Sequence, residues 1–128
     1  MRIASILENQ KIEKRIAITP EIAKKYISLG IDVYLSENYG NHLGIKDEEY
    51  KELGVSISND EKEIIINSDV IVQLGLLDDD KISILKENQT FIGVLNPYDN
   101  KDKIDNLVKK KINTFSLELL PRITRAQS

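Results

Sequence analysis

The polar residues that could do chemistry in this chain cluster behind its apolar runs. Glu8, Asn9 and Gln10 follow the first run, and the same stretch carries on to Arg15. Gln73 and Gly75 close a middle run. Asn96, Pro97, Tyr98 and Asp99 follow the next, and Glu118, Pro121, Arg122 and Arg125 the last. Amides, carboxylates and guanidinium groups of this kind bind and orient a polar ligand. They are poorly suited to moving protons near neutral pH, the work for which imidazole is best placed. The 128 residues contain one histidine, His42, and no cysteine, so thiolate metal sites, cysteine nucleophiles and disulfides are excluded. No metal site is expected. The six glycines (Gly30, Gly40, Gly44, Gly54, Gly75 and Gly93) compose no G-x-G-x-x-G and no Walker-type loop. Nor is there a G-x-S-x-G elbow, an H-E-x-x-H or a paired-carboxylate motif.

The elements that must position these groups alternate between two periodicities. Strands are expected at residues 2–6, 31–35, 55–57, 69–74, 90–95 and 112–117. Helices are expected at 19–29, 47–53, 60–67, 78–85 and 100–111. The clearest helix start is Thr19-Pro20-Glu21, with Thr as N-cap, Pro at the first helical position and an acid in the first turn. Gly30 and Gly54 close the first two helices. Ile64-Ile65-Ile66 suits a strand as well as a helix. Residues 69–74 form an apolar, β-branched run of the kind buried in a parallel sheet. About six strands alternating with five helices mean α/β: an open, mostly parallel sheet with helices on both faces, a Rossmann-like or flavodoxin-like three-layer arrangement without the glycine-rich fingerprint. Ligands gather at the carboxyl ends of such strands, so the groups named above should converge on one rim.

Composition sets the outer limits. Hydrophobic residues are 41% and charged residues 30%, as in a soluble globular domain, and the net charge of −3 without a basic stripe argues against nucleic acid as partner. No apolar run approaches the roughly 18 residues of a membrane span, and the N-terminus lacks a signal-peptide core, so the chain reads as cytosolic and soluble. No linker marks a boundary, and 1–128 reads as one domain. Pro121 opens what looks like a further helix that stops within two turns, so the unit reads as cut from something longer.

Each singled-out residue also has a purely structural reading. Arg15 could pair with Glu8 or Glu13, and Gln73 could only satisfy backbone groups. Asn96-Pro97 could be a turn, and Arg122 and Arg125 could make surface ion pairs. His42 reads as an exposed loop residue. Lys109-Lys110-Lys111 and Asp78-Asp79-Asp80 suit helix ends of opposite polarity.

Glu13-Lys14-Arg15-Ile16-Ala17-Ile18-Thr19-Pro20 resembles the E-x-R-V-A-L-T-P signature near the start of alanine dehydrogenases, some saccharopine dehydrogenases and the alpha subunit of proton-translocating NAD(P) transhydrogenase. The block over residues 36–54 looks like the family's next one. Asn96-Pro97 with Asn100, and Pro121-Arg122-Ile123-Thr124-Arg125-Ala126-Gln127-Ser128, are similar to the transhydrogenase branch in particular. The amino-acid dehydrogenase branches use a Lys and a His where this chain has Gln73 and Asn96. Neutral amides do not shuttle protons there, whereas direct hydride transfer between two nicotinamide rings needs no such base.

The resemblance implies that Arg122, Ile123, Thr124, Gln127 and Ser128 contact NAD(H), with Gln127 positioning the nicotinamide, and that Arg15, Gln73 and Asn96 line the cleft. It further implies that the main NAD(H)-binding domain lies in the remainder of the alpha subunit and that NADP(H) sits on a partner component. A membrane component and a homodimer are expected with it, the whole peripheral to an inner-membrane complex on its cytoplasmic face. The family's motif continues with an Asp two residues beyond Ser128, and its Lys at the Gln73 position is replaced. Two other readings stand beside this one. They are an alanine dehydrogenase-like domain that has lost its Lys and His, and a free-standing, non-catalytic α/β module that binds a partner.

Overall fold

Thr19 caps the first helix, α1 (Pro20–Ser28), by accepting from Ile22 N at 3.3 Å, and Pro20 occupies its first turn. Gly30, at φ +85°, turns the chain out of α1 in the left-handed region that favours glycine. The computed structural model describes residues 1–8, 15–75, 77–93 and 101–116. Over these, β1 (Arg2–Ser5) precedes α1, and β2 (Asp32–Ser36), a 3-10 turn (Asn41–Leu43), α2 (Asp47–Glu52) and β3 (Ser56–Ser58) follow it. Then come α3 (Glu61–Ile66), β4 (Val70–Val72), α4 (Asp79–Ser83), β5 (Thr90–Gly93), α5 (Lys101–Lys109) and β6 (Asn113–Ser116).

The isoleucine triplet resolves as helix. Asp60 Oδ1 accepts from Glu63 N at 3.1 Å to start α3, and this cap decides between the two periodicities that the triplet allows. Its Ile64 and Ile65 are then buried side by side beneath the sheet. His42, expected to be exposed, is half-buried. Its loop closes on itself, with Leu43 N and Ile45 N both donating to Gly40 O.

All pairings are parallel, and the strand order is β3-β2-β1-β4-β5-β6. Side chains alternate between two cores, as a strand period of two requires. Ala4, Ile6, Ile71 and Phe91 meet Ile64, Ile65, Ile82, Leu85 and Leu107 from the α3–α5 side. Ile3, Val33, Leu35 and Val72 meet Ile16, Ile18, Ala23 and Tyr50 from the α1–α2 side. Order reverses between β1 and β4, so the connections leave these two strand ends in opposite directions and open a crevice between them.

Candidate functional site

At that reversal, two segments lie side by side: residues 5–8 behind β1 and 73–75 behind β4. Gln73 continues the ladder by one bond beyond β4, its N–H donating to Ile92 O at 2.9 Å. Its side chain crosses to β1. Gln73 Oε1 accepts from Ser5 Oγ at 3.0 Å and from Ile6 N at 2.6 Å. Gln73 Nε2 donates to Ile6 O and to Glu8 Oε2, each at 3.0 Å. An amide has two lone pairs and two N–H groups, so all four hydrogen-bonding valences are occupied within the chain. At 2% exposure this is what a buried amide requires.

Glu8 extends the network. Besides Gln73, its carboxylate accepts from Leu74 N at 2.7 Å and Gly75 N at 3.2 Å. These two amides are the donors that a strand end would otherwise offer to a ligand's anion. Close packing completes the corner. A Cβ on Gly93 would stand 2.8 Å from Gln73 O and 2.9 Å from the Phe91 ring, so only glycine fits beside the end of β4.

On the other side, Tyr39 reaches in from the loop after β2. Its hydroxyl accepts from Ala17 N and Ile18 N, both at 3.1 Å, and lies 2.8 Å from Ser5 Oγ. Burial pushes the phenol up to about 12, against the opposing effect of its hydrogen bonds, so it stays protonated at physiological pH. Tyr50 packs edge-on against it, ring centroids 6.0 Å apart, and donates to Ile18 O at 2.8 Å. Burial raises the Tyr50 phenol as well. The signature segment is therefore gripped at Ile18 through both its N–H and its C=O.

Above this floor lies a cavity of about 310 Å³ lined by Ile6, Leu7, Glu8, Glu61, Gln73, Leu77, Asp78 and Lys81. A wider one of about 690 Å³, over the ends of β2 and β3, shares Glu61 and Lys81 with it. Lys81 Nζ stands 3.2 Å from Glu61 and 3.8 Å from Asp78. Acidic walls and strand-end amides already bound by Glu8 do not fit a pyrophosphate, so the described rim does not form a dinucleotide cradle. Among the described residues no group of three or more His, Cys, Asp or Glu could hold a metal ion, and no helix is long and apolar enough to cross a membrane.

Of the site residues expected from sequence, two are described. Gln73 lies in the cavity floor with no valence to offer a ligand, and Arg15, the first described residue of the signature segment, is exposed. Asn96, Arg122, Ile123, Thr124, Gln127 and Ser128 lie outside the described residues, as do Glu118 and Arg125. Sequence reading misses Ser5, Tyr39 and Tyr50. Ser5, a hydroxyl inside an apolar strand, is the one signal available.

Fold and rim together define a doubly wound, all-parallel α/β domain with a switch-point crevice. The family model "Alanine dehydrogenase/PNT, N-terminal domain" matches residues 6–128, and the chain belongs to that family. It is 38% identical over its whole length to an NAD(P) transhydrogenase alpha-subunit polypeptide of Rickettsia prowazekii, of which it covers 34%. Among solved structures, a transhydrogenase from Sinorhizobium meliloti superposes with a TM-score of 0.84 at 32% identity, over 98% of this chain and 37% of that one. An L-alanine dehydrogenase superposes almost as well, TM-score 0.83 over 91% of this chain and 32% of that one, but at 16% identity shares the fold alone. The chain thus spans about a third of the length of the relatives it matches.

Proposed function

We propose that the chain is the N-terminal segment of the NAD(H)-binding alpha subunit of a proton-translocating NAD(P) transhydrogenase. In such a complex, hydride passes between NAD(H) and NADP(H), coupled to proton flow through a membrane component. The reading is carried by one observation: the whole chain resembles subunits with that name, at 38% and 32% identity in two separate relatives.

In this reading 1–128 is a single domain leading a larger subunit. It forms one wall of the nicotinamide cleft, and the glycine-rich dinucleotide site lies beyond it. When bound, the nicotinamide nucleotides supply the hydride chemistry. The chain contributes Gln127 to orient the ring, Arg122 to hold neighbouring polar groups, and Ile123, Thr124 and Ser128 in the same segment. Arg15, Gln73 and Asn96 lie along the cleft. The partners are the rest of the alpha subunit, a second copy, and the NADP(H)-binding and membrane components, with this domain on the cytoplasmic face of the inner membrane.

The test is an assay of the full-length protein with its partner components for NADH-dependent reduction of an NADP⁺ analogue, beside alanine-dependent reduction of NAD⁺. Transhydrogenation without alanine oxidation is expected, and the reverse pattern overturns the reading. Residues 1–128 alone are expected to bind NADH weakly or not at all, and micromolar binding by calorimetry would contradict the placement of the main site elsewhere.

A further inference from the structure

Hydrogen counting gives the buried network a single direction. Tyr39 Oη already accepts from Ala17 N and Ile18 N, so its own hydrogen goes to Ser5 Oγ. Ser5 then donates to Gln73 Oε1, and Gln73 Nε2 donates to the Glu8 carboxylate. The relay of side-chain hydrogens from Tyr39 through Ser5 and Gln73 thus ends on Glu8. The members come from four separate places in the fold: the signature segment, the loop after β2, β1, and the end of β4. Ser5 and Tyr39 are 0% exposed and Gln73 is 2% exposed, so water does not compete for these bonds. In such surroundings each bond polarises the next, and an isolated break leaves a buried donor or acceptor unpaired.

We propose that Tyr39 is a positioning residue, which through Ser5 and Gln73 locks residues 15–18 to residues 73–75 as one rigid wall of the crevice. This rests on the reading of the crevice as part of the nicotinamide cleft. Tyr39 touches no reacting group: it sits beneath the wall. Its effect is on the geometry the wall imposes and not on affinity. Small displacements at a transfer site weigh heavily on rate, since hydride transfer depends on the distance and alignment of the two partners.

The experiment uses the full-length protein with its partner components and two variants, Tyr39→Phe and Ser5→Ala. The first removes the acceptor for Ala17 and Ile18. The second cuts the link to Gln73 and leaves those two bonds in place. Hydride transfer is read as a single-turnover rate constant, which does not depend on how much of the protein is folded, and NADH affinity is read separately. Hydrogen exchange by mass spectrometry follows peptides covering 15–18 and 73–75.

Both variants are expected to slow single-turnover transfer roughly 10- to 100-fold while NADH affinity stays within about twofold. In Ser5→Ala, exchange should rise in both segments together. An unchanged rate constant in Ser5→Ala, or faster exchange confined to one segment, overturns the proposal. A wild type that exchanges as expected but transfers no hydride overturns the functional reading, and exchange in Ser5→Ala still decides whether the two segments are coupled.

Discussion

The two halves of the carboxyl rim are built differently. At the β1–β4 end, side chains join residues 65 to 68 positions apart: Ser5 and Ile6 to Gln73, and Glu8 to Gln73, Leu74 and Gly75. At the β2–β3 end one side chain also reaches far, Ser36 Oγ accepting from Leu7 N across 29 positions, but the bonds of the loops that follow are local. Ser58 Oγ accepts from Asp60 N two residues on, Asp60 from Glu63 N three residues on, and Asp47 from Asn38 N across nine. The first arrangement is buried and fixes the crevice between two strands. The second is open, borders the larger cavity, and caps its own turns. The long-range polar bonds thus concentrate at the crevice, and the loops beyond β2 and β3 are closed mostly by local ones.

The largest expected effect comes from removing the hub. Gln73→Leu leaves the Ile6 peptide and Ser5 without their partner, and should cost about 3–5 kcal/mol in urea unfolding. A loss under about 1 kcal/mol would put the two ends on a par. Gly93→Ala, which pushes a methyl group into Gln73 O and Phe91, should cost about 1–3 kcal/mol by the same measurement.

Alkaline stability sharpens the contrast. The Tyr39 phenol ionises near 10 when unfolded and about 12 when folded, so the folded state favours the protonated form. Its contribution is intact below pH 10 and is lost as the pH rises toward 12, with a size of about 1–3 kcal/mol. Tyr50 acts in the same direction. Unfolding midpoints measured from pH 8 upward should fall in that window, and Tyr39→Phe should flatten the fall. The smallest effect belongs to the open end: Asp60→Ala removes one helix cap and should lower stability by about 1 kcal/mol in thermal denaturation.

The same contrast explains what is legible in the sequence. Helix starts such as Thr19-Pro20 and closing glycines such as Gly30 are local signals, and the element order follows from them together with the apolar period. Asp60 as a cap is equally local, although the isoleucines behind it leave the period ambiguous. Glu8 and Gln73 stand out because they follow strands, which is a topological argument. Their bond to each other spans 65 positions and leaves no pattern in one sequence. Tyr39 is invisible for the same reason: its partners, Ser5 and the 17–18 amides, lie at least 21 residues away. The expected contacts at Arg122, Ile123, Thr124, Gln127 and Ser128 come from resemblance and stand as proposals for the cleft.

Site-resolved hydrogen exchange of the full-length protein tests the central contrast most directly. The amides of Ile6, Ile18, Leu74 and Gly75 should open only with global unfolding, while those of Asn38, Asp60 and Glu63 should exchange through small local openings, with lower protection by about 2 kcal/mol or more. Equal protection at the two ends, or faster exchange at Leu74 and Gly75 than at Asp60, would contradict the account.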